Sequence, residues 1–433
     1  MYEPPPSPQE LGLPESFDST LGRRIIEVHR WAVREGLRGA SARDLFDGFC
    51  QRLVADGVTL WRSTVAMRTL HPQWSGYGYT WCRDLNALQP DQWAHGSETD
   101  PQFQQSPFFQ LIRRAESGER NPSLRRQLFV GPAACDFPVF HDLVAAGATD
   151  YFSQLFVFAD GDPAQGSGVV YSFATDRPGG FDADALTLLQ ASLPALSLAL
   201  KGNAAYVIAS TLLQTYLGGD AGRRVHAGAI ERGSVERIRA VLWYADIRGF
   251  TAIADTAAEL VIELLDQVFE VLTESLRKRG AQVLKFLGDG MLATFAVDHS
   301  NCADTCRMAL DAAGEAILGI DSLNAARAAQ GKPAASVDLA LHLGEVLYGN
   351  VGAVDRLDFT VIGPAVNEVA RIEALCEPLK RHVLVSAEFA AASGASGDLL
   401  RPLGHHTLRG LRDAREIYEL VIDRRPSDTT LTS

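Results

Sequence analysis

The sequence has little that would commit it to a disulfide, membrane or nucleic-acid role. Its 433 residues hold six cysteines (Cys50, Cys82, Cys135, Cys302, Cys306 and Cys376), none of them in a CxxC pair. That excludes the usual zinc-ribbon and dithiol spacings and suggests reduced, mostly buried thiols in a cytoplasmic protein. Cys302 and Cys306 share a helix face, where core filling is favoured over a metal pair. Basic residues are in deficit, with a formal net charge of −13, so sliding along a polyanion is excluded. An anionic substrate would need local positive charge, such as a metal ion. The start, MYEPPPSPQE, is Pro-rich and carries no signal-peptide pattern. The most apolar long stretch, 188–217, is interrupted by Pro194, Lys201 and Asn203. No membrane span is expected from it.

What is present is ordinary globular composition, 46% apolar and 21% charged, at a length that fits two or three domains. Residues 1–20 read as a disordered tail, and 426–433 as another. Helical periodicity follows at Ile25, Ile26, Val28, Trp31 and Ala32, then at Leu45, Phe46, Phe49 and Leu53. Residues 58–67 read as a strand. Trp74, Tyr77, Tyr79 and Trp81 alternate with small residues and are expected to fill a core, with a ligand pocket as the second reading. Strands are expected at 151–158 and 168–174, joined by the polar loop 159–167. A Pro-Gly-Gly turn then leads to Phe181-Asp182-Ala183-Asp184, an acidic opening for a helix reaching about Leu200. This layout resembles a GAF-type small-ligand sensor over 21–202. The resemblance implies an α+β regulatory domain and a possible small-molecule effector. Residues 203–222 then read as a helical or bent stretch ending in Gly218-Gly219-Asp220-Ala221-Gly222, within a connector over 203–235.

The second half carries the chemistry. The run Ala240–Ala245 reads as a buried strand that ends on the carboxylate of Asp246 and turns at Gly249. A carboxylate at such a place is costly without a positive partner. An amphipathic helix with Leu260, Leu264, Leu265, Val268, Leu272 and Leu276 comes next. Then Gln282–Leu287, the turn Gly288-Asp289-Gly290, and Met291–Phe295 read as a hairpin. In a ferredoxin-like sheet the end of the first strand and this hairpin tip are neighbours. Asp246 and Asp289 are therefore expected to share a divalent cation, and Gly249-Phe250-Thr251 to offer backbone N–H groups to phosphate oxygens. Further on, a strand at 339–346 and Asp358–Ile362 lead through Gly363-Pro364 into a helix that places Asn367 and Arg371 on one face.

The blocks ADIRGFT, KFLGDGMLATF, LHLGEVLYGNVG and DFTVIGPAVNEVARIE resemble the catalytic domain of class III nucleotide cyclases, in that family's order, over 236–425. The resemblance implies an α+β, ferredoxin-like domain that converts ATP to cyclic AMP and pyrophosphate. It implies two Mg²⁺ or Mn²⁺ ions held by Asp246, Asp289 and the Ile247 carbonyl. Lys285 and Thr360 would read the adenine, the threonine being similar to that of a subgroup of bacterial and soluble adenylate cyclases. Asn367 would orient the ribose and Arg371 would stabilise charge at the α-phosphate. The family's site is shared between two domains, so a homodimer with two equivalent sites is implied. Lys380 and Arg381 are both candidates for the distal phosphates. Glu368 replaces a residue that is usually small or apolar and is expected to face solvent. The alternatives are a diguanylate cyclase, disfavoured because no GG[DE]EF signature is present, and a weak or inactive nucleotide-binding module.

Overall fold

The computed structural model describes residues 19–85, 88–131, 135–158, 168–256, 258–298, 300–395, 397 and 399–422. The expected tails and the loop 159–167 lie outside them, apart from Ser19 and Thr20. Ser19 caps the first helix, its hydroxyl accepting from the Gly22 N–H at 2.9 Å. The chain divides into two compact units, Met1–Leu212 and Leu213–Ser433.

The first unit carries strands β1 (Arg62–Arg68), β2 (Trp74–Cys82), β3 (Gln89–Ala94), β4 (Ser123–Gln127), β5 (Asp150–Val157) and β6 (Gly168–Thr175). They form one six-stranded sheet in the order β3-β2-β1-β6-β5-β4, with every neighbour antiparallel. Helices α1 (Thr20–Leu37), α2 (Ala42–Ala55) and α6 (Ala183–Leu217) cover one face, burying Ile25, Trp31, Phe46, Phe49, Leu188 and Leu196 against Val65, Tyr171 and Phe173. The short α3 (Pro101–Gln104), α4 (Pro107–Glu116) and α5 (Pro138–Ala145) precede α6, and Leu111 of α4 and Phe140 of α5 fill the opposite face. Trp81 is part of the first core, and Tyr77 and Tyr79 pack against it. The Pro-Gly-Gly turn is anchored by the fully buried Asp150. Its carboxylate accepts from the Phe181 N–H at 3.0 Å and pairs with Arg125 at 2.6 Å.

Two expectations are corrected here. The helix does not stop near Leu200: α6 runs unbroken to Leu217, through Pro194, so of the helical and bent forms of the connector it is the helical one that is seen as far as Leu217. Proline removes one intrahelical hydrogen bond, but burial of the Leu- and Ala-rich face sustains the helix on both sides. An 18-residue stretch of α6 has a mean hydropathy of 1.4, so the helix is also long and apolar enough to cross a membrane by length and composition, despite its interruptions, while 61% of that 18-residue stretch is buried within the protein.

In the second unit, α7 (Gly219–His226) leads to β7 (Val235–Ile247), α8 (Phe250–Thr256), α9 (Val261–Arg277), β8 (Gln282–Leu287), β9 (Gly290–Val297) and α10 (Cys302–Ala329). Then follow β10 (Val337–Gly352), β11 (Leu357–Ile362), α11 (Pro364–Glu373), α12 (Cys376–Leu379), β12 (Val383–Ser386), α13 (Ala387–Ser393), β13 (Leu400–His406) and β14 (Arg415–Leu420). The sheet order is β13-β14-β12-β10-β7-β9-β8, with β11 paired to β10. Its β10-β7-β9-β8 core, with two helical crossovers, is the ferredoxin-like arrangement. Odd-numbered residues of β7 and β10, including Val241, Trp243, Leu339 and Leu341, face α9 and α10. Even-numbered Ala240, Leu242 and Ala340 face α11 through Val369 and Ile372. This period-two alternation places Asp246, Asp338 and His342 on the α11 side.

Candidate active site

Asp246 sits at the end of β7 because the buried run before it pairs on both sides, with β9 and with β10. The register sets Asp246 opposite Gly290 on one neighbour and Asp338 on the other. The β8–β9 hairpin turns through Gly288, at φ +72°, and Asp289. A positive φ at that place suits glycine. Gly290 lets the turn close against the acid: a Cβ there would lie 2.7 Å from Asp246 Oδ2. Asp246 and Asp289 are thus brought together at one end of the sheet.

No basic side chain among the described residues pairs with Asp246 or Asp289. Arg248, two residues past Asp246, is committed to another acid. Its guanidinium grips Asp338 through contacts of 2.9 and 2.5 Å and donates to the Arg381 carbonyl at 2.8 Å. Burial, then repulsion from Asp289, pushes Asp246 up to about 6. Glu373, at the end of α11, is pushed to about 7 by burial and by Asp246 and Asp338. Such a group of carboxylates stores repulsion that a cation would relieve. The donors are all oxygen, and the Ile247 carbonyl lies at the same strand end, so the residues present fit a hard divalent ion. Millimolar Mg²⁺ at pH 8 is expected to raise the melting temperature by several degrees, and Asp246→Asn to abolish that shift. At about 100 times its dissociation constant a ligand adds about 2.7 kcal/mol. Thermal denaturation with and without Mg²⁺ checks this.

Gly249, at φ +69°, turns the chain from β7 into α8, leaving Thr251 exposed and Phe250 half-buried against the core. Lys285 lies on β8 and forms an ion pair with Asp358 of β11. Thr360, two residues further along β11, is on the same face as Asp358. The sequence reading missed Asp358, Asp338, Arg248 and Glu373.

Asn367 and Arg371 are not brought to the acids. On α11 they point the other way: Asn367 is exposed, and the Arg371 guanidinium lies over Gly410, 3.6 Å from where its Cβ would be. Glu373 is about 200° around the helix from Arg371, at about 100° per residue, and it is Glu373 that adjoins Asp246. Among the described residues Arg371 has no carboxylate partner. Of the two distal candidates, Arg381 is engaged by Glu419 at 2.9 Å. Lys380, exposed at φ +56°, has no acidic partner among the described residues.

Glu368 is a correction. It does not face solvent; its side chain is 14% exposed and lies 3.2 Å from Arg415 of β14.

The order of the elements, the paired acids at the hairpin tip and the Asn/Arg helix can be set beside known proteins. Residues 235–421 match the adenylate and guanylate cyclase catalytic domain. The mixed α+β fold of this unit is that cyclase domain's fold. The chain is 30% identical over 193 residues to adenylate cyclase 1 of Rhizobium meliloti, covering 43% of this chain and 28% of the relative. It is 30% identical over 162 residues to an adenylate cyclase of Anabaena cylindrica, covering 36% and 31%. The match thus spans roughly three-tenths of the length of these curated relatives. Among solved structures, the adenylyl cyclase CyaB from P. aeruginosa is 26% identical, with a TM-score of 0.38, over 44% of this chain and 98% of that one. The matched residues run through the second unit from β7 to β14.

Proposed function

We propose that the protein is an adenylate cyclase that forms 3′,5′-cyclic AMP and pyrophosphate from ATP at the interface of a homodimer. The observation that carries this reading is the split of the site. Among the described residues, paired aspartates without a basic partner lie at one strand end, while Asn367 and an Arg371 without a carboxylate partner face away from them on α11. A second copy related by a twofold axis would bring its Arg371 to the first copy's acids and complete two equivalent sites. Exposed apolar side chains near Lys285 and Thr360, at Phe286, Leu287, Leu347 and Ile362, support a surface that a second copy covers.

In this reading Asp246, Asp289 and the Ile247 carbonyl hold two Mg²⁺ or Mn²⁺ ions. Bound there, the ions would acidify the ribose 3′-hydroxyl and offset charge on the phosphoryl oxygens. The 3′-oxygen forms its bond to the α-phosphorus, the bond to the β-phosphate oxygen breaks, and the hydroxyl proton passes to solvent. The partner chain's Asn367 orients the ribose, and its Arg371 donates to the α-phosphate as charge grows there. The backbone at Gly249, Phe250 and Thr251 approaches the phosphates, and Lys380 takes the distal ones. Lys285 and Thr360 read the adenine edge. A lysine offers only donors and suits the N1 acceptor of adenine, whereas guanine presents an N–H. Lys285→Glu is therefore expected to lower turnover of ATP and raise the GTP-to-ATP ratio of kcat/KM, measured with both nucleotides.

The first unit, an antiparallel sheet under a helical layer with the Phe181–Asp184 opening, is read as a GAF-like sensor for a small effector. Its signal would reach the cyclase domain through the chain around α7. There Asp220 accepts from the Tyr348 hydroxyl at 3.1 Å, and its N–H donates to Gln282 of β8, the strand that carries Lys285, at 3.1 Å. The test of the function is direct: purified full chain is given ATP or GTP with Mg²⁺ or Mn²⁺. Cyclic AMP and pyrophosphate in equal amounts support the reading. Cyclic GMP as the main product, or no product, refutes it.

A further inference from the structure

A second group of ligating side chains lies on the same sheet face, away from the paired aspartates. His342 is on β10, four residues past Asp338, which is about 13 Å at 3.3 Å per residue. It is 4% exposed. Glu368 reaches it from the first turns of α11, and Glu388 from the start of α13. One ligand atom from each of the three lies within 4.8 Å of the others. We propose that His342, Glu368 and Glu388 form a binding site for a divalent transition cation of the zinc class, separate from the paired aspartates.

Three features carry this beyond a chance meeting of acids. The first is the imidazole's orientation. Its Nδ1 lies 2.9 Å from the Ser386 hydroxyl, and that hydroxyl also caps α13 by accepting from the Phe389 N–H at 3.2 Å. A ring nitrogen fixed by an outer partner leaves the other nitrogen free to ligate, as metal-bound histidines are typically held. Nε2 makes no hydrogen bond among the described residues and points toward Gly344, 3.1 Å from where a Cβ there would be. Burial favours the neutral imidazole, the form that binds metal.

The second is an orphaned oxygen. Glu368 Oε1 is buried and lacks a hydrogen-bond partner, because Arg415 Nε at 3.2 Å is not aligned to donate to it. Arg415 offsets part of one carboxylate's charge and leaves the other unopposed. Among the described residues Glu388 has no basic partner.

The third is spacing. The three ligand atoms are close but not bonded to one another. Ligands about 2.1 Å from a tetrahedral ion sit about 3.4 Å apart, inside the 4.8 Å limit that holds for these three atoms. One nitrogen and two carboxylates suit zinc better than magnesium, and the exposed side of Glu388 leaves room for water as the fourth ligand.

The test uses the full chain carrying Asp246→Asn, so that ions at the catalytic acids do not contribute and failure of the catalytic reading leaves the result intact. Zn²⁺ binding is measured by equilibrium dialysis, and Co²⁺ is added as a spectroscopic probe. The expected result is one equivalent of Zn²⁺ and the intense visible absorption of tetrahedral Co²⁺. His342→Gln and Glu388→Gln should each weaken binding at least about tenfold, the lower bound for disturbing a ligand's support. Glu388 is exposed, so its variant keeps the fold and decides the matter if His342→Gln does not. Zn²⁺ binding that Glu388→Gln leaves unchanged, or no bound Zn²⁺ in a natively folded Asp246→Asn chain, overturns the proposal.

Discussion

Asp246→Asn is expected to bring cyclic AMP formation below detection while leaving the metal-free fold at least as stable as the wild type. The two halves of that result have one cause. Asp246 holds its carboxylate half-buried beside Asp289, with Arg248 committed to Asp338. In the proposed reaction that charge holds a cation, whereas the fold does not need it. Burial and Asp289 raise Asp246 from 3.8 to about 6, so between those values the unfolded chain releases a proton that the folded chain keeps. Stability of the metal-free protein therefore falls as pH rises through that interval, and the loss persists above about 6. An asparagine removes the titration. Melting of metal-free wild type should decline from pH 5 toward pH 7 more than that of the variant. A variant that melts well below wild type at pH 8, or that still makes cyclic AMP, contradicts the assignment.

Arg371→Ala is expected to lower kcat by about 10²–10³ with little change in KM, the scale seen when one preorganised donor to a developing charge is lost. Among the described residues Arg371 has no carboxylate partner to orphan, so the change in stability should stay within about 0.5 kcal/mol. Arg371→Lys should recover only part of the loss. A guanidinium presents a planar fork of donors, whereas an ammonium is a point charge on a flexible stem. Steady-state kinetics with ATP separates these outcomes. An effect confined to KM would place Arg371 in ground-state binding instead.

Much of the second unit was legible before its coordinates. The apolar run before Asp246, the amphipathic stripe of α9 and the Gly-Asp-Gly turn each signal one element, and their order specifies a ferredoxin-like core. Asp338 was not legible, because it joins the acids through strand register, opposite Asp246 though ninety-two positions along. Glu373 and Arg248 are defined by that same pairing, and Asp358 by the approach of β11 to β8. No local pattern announces any of them. Glu368 was different. Together with Ala365, Val369 and Ile372 it forms the i, i+3, i+4, i+7 stripe that packs on the sheet, so its inward position was available from spacing alone. The continuation of α6 past Leu200 was hidden because the polar Lys201-Gly202-Asn203 breaks the apolar run there, although the helix passes through it to Leu217.

The central claim is that neither copy holds a complete site, and mixing two dead variants tests it most directly. Asp246→Asn and Arg371→Ala proteins, each inactive or nearly so, are combined in equal amounts and allowed to exchange subunits. A shared interface predicts that half the dimers are mixed and that each mixed dimer has one intact site of two, giving about a quarter of wild-type cyclic AMP formation. If the mixture forms no more cyclic AMP than its separate components while native mass spectrometry shows mixed dimers, the two residues do not act across an interface.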